Sequence, residues 1–393
     1  MELKIQMLDF SNVDRRIEHL DKEQIVELIK RYYAGESVNK LKEEYNVKIN
    51  NSNFYTIFPK KILEENCPYC NVPFVQDWES KSSYSFMKKS PYCPLCEHEN
   101  HDKCRCKTCK KIREEMKLLE EIRKREAISN TYYEGNYEKV PESNLSLEDK
   151  LYLSVLIRGG LEEGFDYIKP IMLFENKIAP TDDFANEIIL TLTGRGIIMP
   201  HSNSNINAFV DDDNFPRNYY IYKVNYRINV SPADDDYYGM IQRLMYPSQS
   251  EFEKDQTFCF EMWKKISLHE CLEYLLYSMN KVGFEFKPGK KTITVFEHLL
   301  EHFSVAQIYS IIYRAIANST KLYQEQKISK KHAANAVITS CESYGERAIA
   351  EGWSLTKYRR NYDLPETLIS KVFFTSILKI AHLGFEEKPT DKI

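Results

Sequence analysis

The chain reads as a mainly α-helical, multidomain protein with a small metal-braced module and an α+β segment, and three observations predict this. Apolar residues recur at helical spacing along most of the sequence, most regularly beyond Phe252. Seven of the ten cysteines crowd between Cys67 and Cys109. Strand-like alternation is concentrated in GIIMP and YYIYKVNYRINV, within residues 148–250. At 393 residues the chain is longer than a typical domain, so several domains are expected. Charged residues make up 28% and hydrophobic ones 42%, an ordinary globular balance, and no run approaches the roughly 20 apolar residues of a membrane span. The start, MELKIQMLDFSNVDRR, lacks a basic segment followed by an apolar one, so a cytoplasmic protein with no membrane association is expected.

Residues 1–62 are expected to form a small helical domain. Asp21 can cap KEQIVELIKRYY, whose stripe is Ile25, Leu28, Ile29 and Tyr32. Gly35 supplies a turn, a second stripe runs through Val38, Leu41 and Tyr45, and NNSNFYTIFPKKI adds a third short segment before Pro59. Three short helices with a glycine turn resemble the helix-turn-helix of resolvases and transposases at superfamily level. The resemblance implies that the third segment lies in the major groove of double-stranded DNA. Asn51, Ser52, Asn53 and Tyr55 would then face base edges, with Lys60 and Lys61 on phosphate. The plainer alternative is a helical cap or dimerisation unit.

Residues 63–110 carry the cysteines. A thiolate is a soft anionic ligand, and two of them separated by two residues in a tight turn can point at one metal ion. Cys67-Pro-Tyr-Cys70 and Cys93-Pro-Leu-Cys96 stand 22 residues apart, close to the usual spacing of a four-cysteine zinc site. The pair of turns resembles a zinc ribbon over Cys67–Cys96. Cys104, Cys106 and Cys109 lack one ligand for a closed shell, and His98 or His101 can supply it, with His98 preferred because His101 is so near Cys104. Two Zn2+ ions per chain follow, the first held by thiolates alone and therefore structural rather than hydrolytic. Disulfides, a single redox pair or an iron–sulfur cluster are the competing uses of these residues.

Net charge is −4, so any nucleic-acid surface must be local. Residues 103–126 supply one, with ten Lys or Arg against five Glu, and Lys103, Arg105, Lys107 and Lys110 stand closest to the cysteines. A helix is expected over 111–128, with Ile112, Met116, Leu119 and Ile122 on one stripe, and 129–147 is polar and aperiodic and reads as a linker. In 148–250 the order helix, helix, strand, loop, strand resembles a winged helix, with a long insertion around Asp211–Pro216. Residues 251–393 read as a bundle of about five helices, with capping boxes at Ser267/Glu270 and Ser304/Gln307, suited to self-association or a protein partner. His332, Arg314, Arg359 and Arg360 are polar candidates there, while Cys259, Cys271 and Cys341 read as buried thiols.

No phosphate-binding glycine loop, nucleophile elbow or His-Glu-x-x-His helix is present. The helix-turn-helix resemblance, the basic metal-braced arm and the winged-helix resemblance together point to recognition rather than chemistry: DNA binding for regulation, mobile-element targeting or defence. A zinc-containing protein-interaction scaffold is the alternative. The letters of His98-Glu-Asn-His101 also occur in HNH nucleases, but their spacing departs from that motif.

Overall fold

A computed structural model describes residues 3–81, 89–325 and 327–390. The chain divides into two compact units, Met1–Arg123 and Lys124–Ile393.

In the first unit, α1 (Lys22–Tyr33) starts at a capping box in which Asp21 accepts from the Gln24 amide and Gln24 returns the bond. Its stripe buries Ile25, Leu28, Ile29 and Tyr32 as the spacing predicts. Gly35, at φ +98°, turns the chain into α2 (Val38–Glu44), and Arg31 ties the two helices by pairing with Glu36 and Glu44, each at 2.6 Å. The third expected helix is not α-helical. Asn51–Ile57 is a single 3-10 stretch, because Asn50, Asn51, Ser52 and Asn53 are weak helix formers, and Phe54 and Ile57 pin it to the core instead. The hairpin β1 (Lys61–Asn66) and β2 (Pro73–Gln76) follows, antiparallel with Ile62 opposite Val75. Just beyond it, Trp78 packs into the same core as Leu28, Tyr32 and Phe58 and donates to the Pro59 carbonyl at 2.7 Å. The cysteine module and the helices before it thus share one unit.

Helix α3 (Lys107–Thr131) is longer than expected at both ends and carries the chain from the first unit into the second. The supposed linker 129–147 is structured: Tyr132 and Leu145 are buried, and β3 (Val140–Pro141) pairs in parallel with β6 (Val230–Ser231). Its lack of periodicity reflects short turns anchored by single aromatic and aliphatic side chains.

The second unit places α4 (Leu147–Gly160) at its centre, every residue from Leu151 to Ile157 being buried. Ser146 and Asp149 form a capping box. At its end the Phe174 ring lies flat on the backbone: a Cβ on Gly160 would come within 2.1 Å of that ring, so only glycine fits. Helix α5 (Asp182–Gly194), capped by Thr181, precedes the antiparallel pair β4 (Ile198–Pro200) and β5 (Tyr226–Ile228). The helix–helix–strand–strand order is present, though each of these strands is only three residues long. Between them Asp211 pairs with Lys124 at 2.7 Å and Asp212 holds Asn214 and Asn218, so that acidic loop is a structural turn.

After α6 (Tyr237–Met245) and α7 (Gln249–Phe252) comes α8 (Gln256–Lys281), the spine of the unit. Its first half, through Ile266, belongs to the core around α4, and its second half, from Cys271, to a core shared with α9 (Lys290–Leu300), α10 (Val305–Gln324) and α11 (Lys330–Ala350). The expected capping box at Ser267/Glu270 is corrected: the helix starts at Asp255 and runs through both residues, which are fully buried. The Ser304/Gln307 box does open α10. Short α12 (Leu368–Ser370) continues into a π-helical Lys371–Ile377 that returns to the α4 core, and α13 (Leu383–Glu386) ends the described fold. Cys259, Cys271 and Cys341 are buried free thiols, as expected. The polar candidates are already engaged or exposed: Arg360 pairs with Glu270, Arg314 sits over Tyr344 and His332 lies exposed in the first turn of α11. Among the described residues no helix is long and apolar enough to cross a membrane.

Two buried polar contacts make testable contributions to stability. Glu270 is wholly buried and held by Arg360 at 2.9 Å and the Ser370 hydroxyl at 2.8 Å. Arg360→Met strands that carboxylate and is expected to cost about 3 kcal/mol in urea unfolding. His269 stacks on Phe184 and hydrogen-bonds Thr181 at 2.7 Å, and burial, with Lys265 nearby, brings its pKa down to about 4. Because the folded state favours the neutral ring, this contribution is present above about pH 6.5 and is lost as pH falls toward 4. Between pH 7 and 4.5, His269→Gln should therefore lose about 2 kcal/mol less stability than the parent chain.

Candidate metal centres

The hairpin presents the first cysteine turn and a matching turn presents the second. In each, the first cysteine's amide donates to the carbonyl five residues on and its carbonyl accepts from the amide four residues on. Thus Cys67 N reaches Val72 O at 2.8 Å and Asn71 N reaches Cys67 O at 2.9 Å, while Cys93 N reaches His98 O at 2.8 Å and Glu97 N reaches Cys93 O at 2.9 Å. The tight return requires a left-handed residue after the second cysteine, and Asn71 (φ +52°) and Glu97 (φ +59°) fill that place. Bridges from Val75 to Tyr92 and from Tyr92 to Glu99 hold the second turn against the hairpin.

These turns bring Cys67, Cys70, Cys93 and Cys96 together with their sulfurs within 4.8 Å of one another. Cys67 Sγ and Cys96 Sγ are 3.7 Å apart, against about 3.8 Å for the edge of a tetrahedron with ~2.3 Å metal–sulfur bonds. Burial pushes the Cys96 thiol up, and Cys70, Cys93 and Cys67 beside it add to the rise. Several thiolates this close need a cation to neutralise them.

The second group is His98, Cys104, Cys106 and Cys109, all buried. The structure selects His98: its Nδ1 lies 3.2 Å from Cys109 Sγ and 4.0 Å from Cys106 Sγ. His101 is half exposed and turned away, with Nε2 on Glu99 at 2.5 Å and Nδ1 accepting from the Lys103 amide. Cys104 Sγ accepts from the Glu99 and Cys106 amides, which suits an ionised sulfur. Cys106 also closes the N-terminus of α3, its sulfur accepting from the Cys109 amide at 3.4 Å where the helix dipole favours negative charge. The chain's own signal for that cap is the Cys106-x-x-Cys109 spacing directly before the helical run.

The two groups are joined through side chains that the motif spacing does not single out. The His98 backbone completes the second turn of the first site while its imidazole serves the second. Tyr69, inside the first turn, packs edge-on against His98 at 4.8 Å and reaches Cys109 Sγ at 3.6 Å. Both groups are closed four-donor sets rich in sulfur, suited to a structural ion rather than to hydrolysis.

The expected DNA-contacting residues are placed less uniformly. Lys103, Arg105, Lys107 and Lys110 are all exposed around the second group. Ser52 and Asn53 are exposed, but Asn51 is bound to Asn39 and Lys42 of α2, and Tyr55 packs against the core. Lys60 lies over the Tyr92 ring at 4.8 Å, and Lys61 over Trp78 at 4.1 Å with its pKa pulled down by burial. Both lysine side chains thus lie against aromatic rings and remain partly exposed.

Metal analysis checks the arrangement. Protein purified without added metal should carry two ions per chain, His98→Ala should retain one, and His101→Ala should retain both. Cys93→Ser should fall below one, because the second turn also positions His98.

Comparison with protein-family models, curated proteins and solved structures finds no match to this chain.

Proposed function

We propose that the chain is a zinc-braced protein that binds double-stranded DNA by recognition rather than chemistry, with Zn2+ in both cysteine groups. The observation that carries this reading is the cationic collar of the second group. Its four donors are buried, while Lys103, Arg105, Lys107 and Lys110 project from the same short segment into solvent. Among the described residues no carboxylate pairs with Lys103, Arg105 or Lys107, and Lys110 meets Glu114 only at 3.9 Å with 72% of its side chain exposed. A surface pair of that kind gives way easily to phosphate. Because Cys104, Cys106 and Cys109 are fixed by a common ion, the intervening cations hold a constant spacing, which reduces the entropy lost on meeting a phosphate backbone. Zinc suits the sets because thiolate and imidazole donors in closed tetrahedra favour it. The exposed Ser52 and Asn53 are the remaining candidates for base contact.

A scaffold role is the second reading, favoured by α3. Met116, Leu119 and Ile122 are 64%, 66% and 46% exposed along one helix, an apolar run that a partner could cover.

Duplex binding separates the two. Affinity of the zinc-loaded chain for a random duplex should fall steeply with salt, and Lys107→Ala or Lys110→Ala should each lower the slope of log affinity against log salt by about 1 without loss of metal. Absence of binding at low salt removes the DNA reading and leaves the scaffold.

A further inference from the structure

A third group of metal-binding side chains stands in the second unit, far along the chain from the cysteines. At the end of α9, one nitrogen each from His298 and His302 and one oxygen of Glu301 lie within 4.8 Å of one another, all three residues being exposed. His298 and His302 are four residues apart where the chain completes its last helical turn, with the His302 amide donating to Leu299 O at 3.1 Å and Phe303 N to Leu299 O at 2.8 Å. That spacing puts both rings on one face. The rings meet edge-on with centroids 5.4 Å apart, and Glu301 Oε2 approaches His298 Nδ1 at 3.5 Å.

We infer that His298, Glu301 and His302 form a separate surface site for a divalent transition-metal ion. Two imidazoles and one carboxylate form a donor set for zinc, nickel or copper, whereas magnesium and calcium prefer oxygen throughout. Bonds of ~2.1 Å need donors about 3.4 Å apart, and rotation of exposed side chains closes the remaining gap. The backbone favours the cation as well. Leu300 is the last residue of α9, so the negative end of the helix dipole faces the site. Lys388 reaches the Glu301 carbonyl at 3.5 Å rather than its carboxylate, which leaves those oxygens for the metal. Three protein donors leave a position for water, unlike the closed cysteine sets, so this ion exchanges freely and is removed by desalting.

The test uses the full chain with its cysteine sites already occupied, titrated with Ni2+ in a non-coordinating buffer by calorimetry and absorption. One additional equivalent should bind without thiolate-to-nickel charge-transfer bands. The equivalent should be lost in His298→Ala and in His302→Ala and weakened in Glu301→Gln, with the thermal unfolding of each variant unchanged because the side chains are exposed. If the wild type takes up no further equivalent, or the His298→Ala/His302→Ala double variant binds it equally well, the site does not exist. Nickel that enters with charge-transfer bands has displaced a cysteine-bound ion, and equal behaviour of both histidine variants there also overturns the inference.

Discussion

Seven sulfurs and one imidazole nitrogen pack into two groups whose donors lie within 4.8 Å of one another, and the cysteine module depends on how that crowding is resolved. The module has little else to hold it. The apolar cluster around the first group consists of buried Cys67, Phe74 and Cys93, and the one around the second of Cys104, Cys106 and Cys109. Burial on that scale cannot offset the backbone entropy of the roughly forty described residues around it, for which roughly 1 kcal/mol or more per residue is lost. On the proposed reading, coordination would replace the missing core, with a dication neutralising the thiolates and tying together turns distant in sequence. The same ions would fix the start of α3, where the Cys106 sulfur already accepts from the Cys109 amide, and with it the spacing of the cations around it.

The second unit follows the opposite economy. Two apolar cores meet along α8, and the larger polar side chains that enter them find partners, as Glu270 does with Arg360 and Ser370 or Trp263 with the Gly384 carbonyl, while the small Ser267 hydroxyl is buried without one among the described residues. One chain therefore joins a cysteine module poor in apolar core to regions held by packing, so on the proposed reading chelation acts first on the module.

How far this was legible in the sequence depended on how local each signal was. Capping boxes at Ser146/Asp149 and Ser304/Gln307 were readable because donor and acceptor sit three residues apart. Ser267/Glu270 carries the same letters and misleads, since Glu270's partner Arg360 lies 90 residues away and burial decides its role. The four cysteines of the paired turns were legible for the same local reason. The choice between His98 and His101 was not, because it rests on the Cys93 amide reaching the His98 carbonyl and on Tyr69 closing over the ring. Residues 129–147 looked like a linker because Tyr132 and Leu145 are held by side chains remote in sequence. The 3-10 geometry of Asn51–Ile57 follows from residues with weak helix preference whose competing choice is settled by Phe54 in the core.

The central claim is that two zinc ions share these eight donors. X-ray absorption at the zinc edge, on the desalted 393-residue chain, tests it most directly. Four sulfurs on one ion and three sulfurs with one nitrogen on the other give an averaged shell dominated by sulfur near ~2.3 Å with a minor nitrogen component near ~2.0 Å. The nitrogen component should vanish in His98→Ala and persist in His101→Ala. A shell rich in oxygen or nitrogen, or an iron signal in place of zinc, would contradict the account.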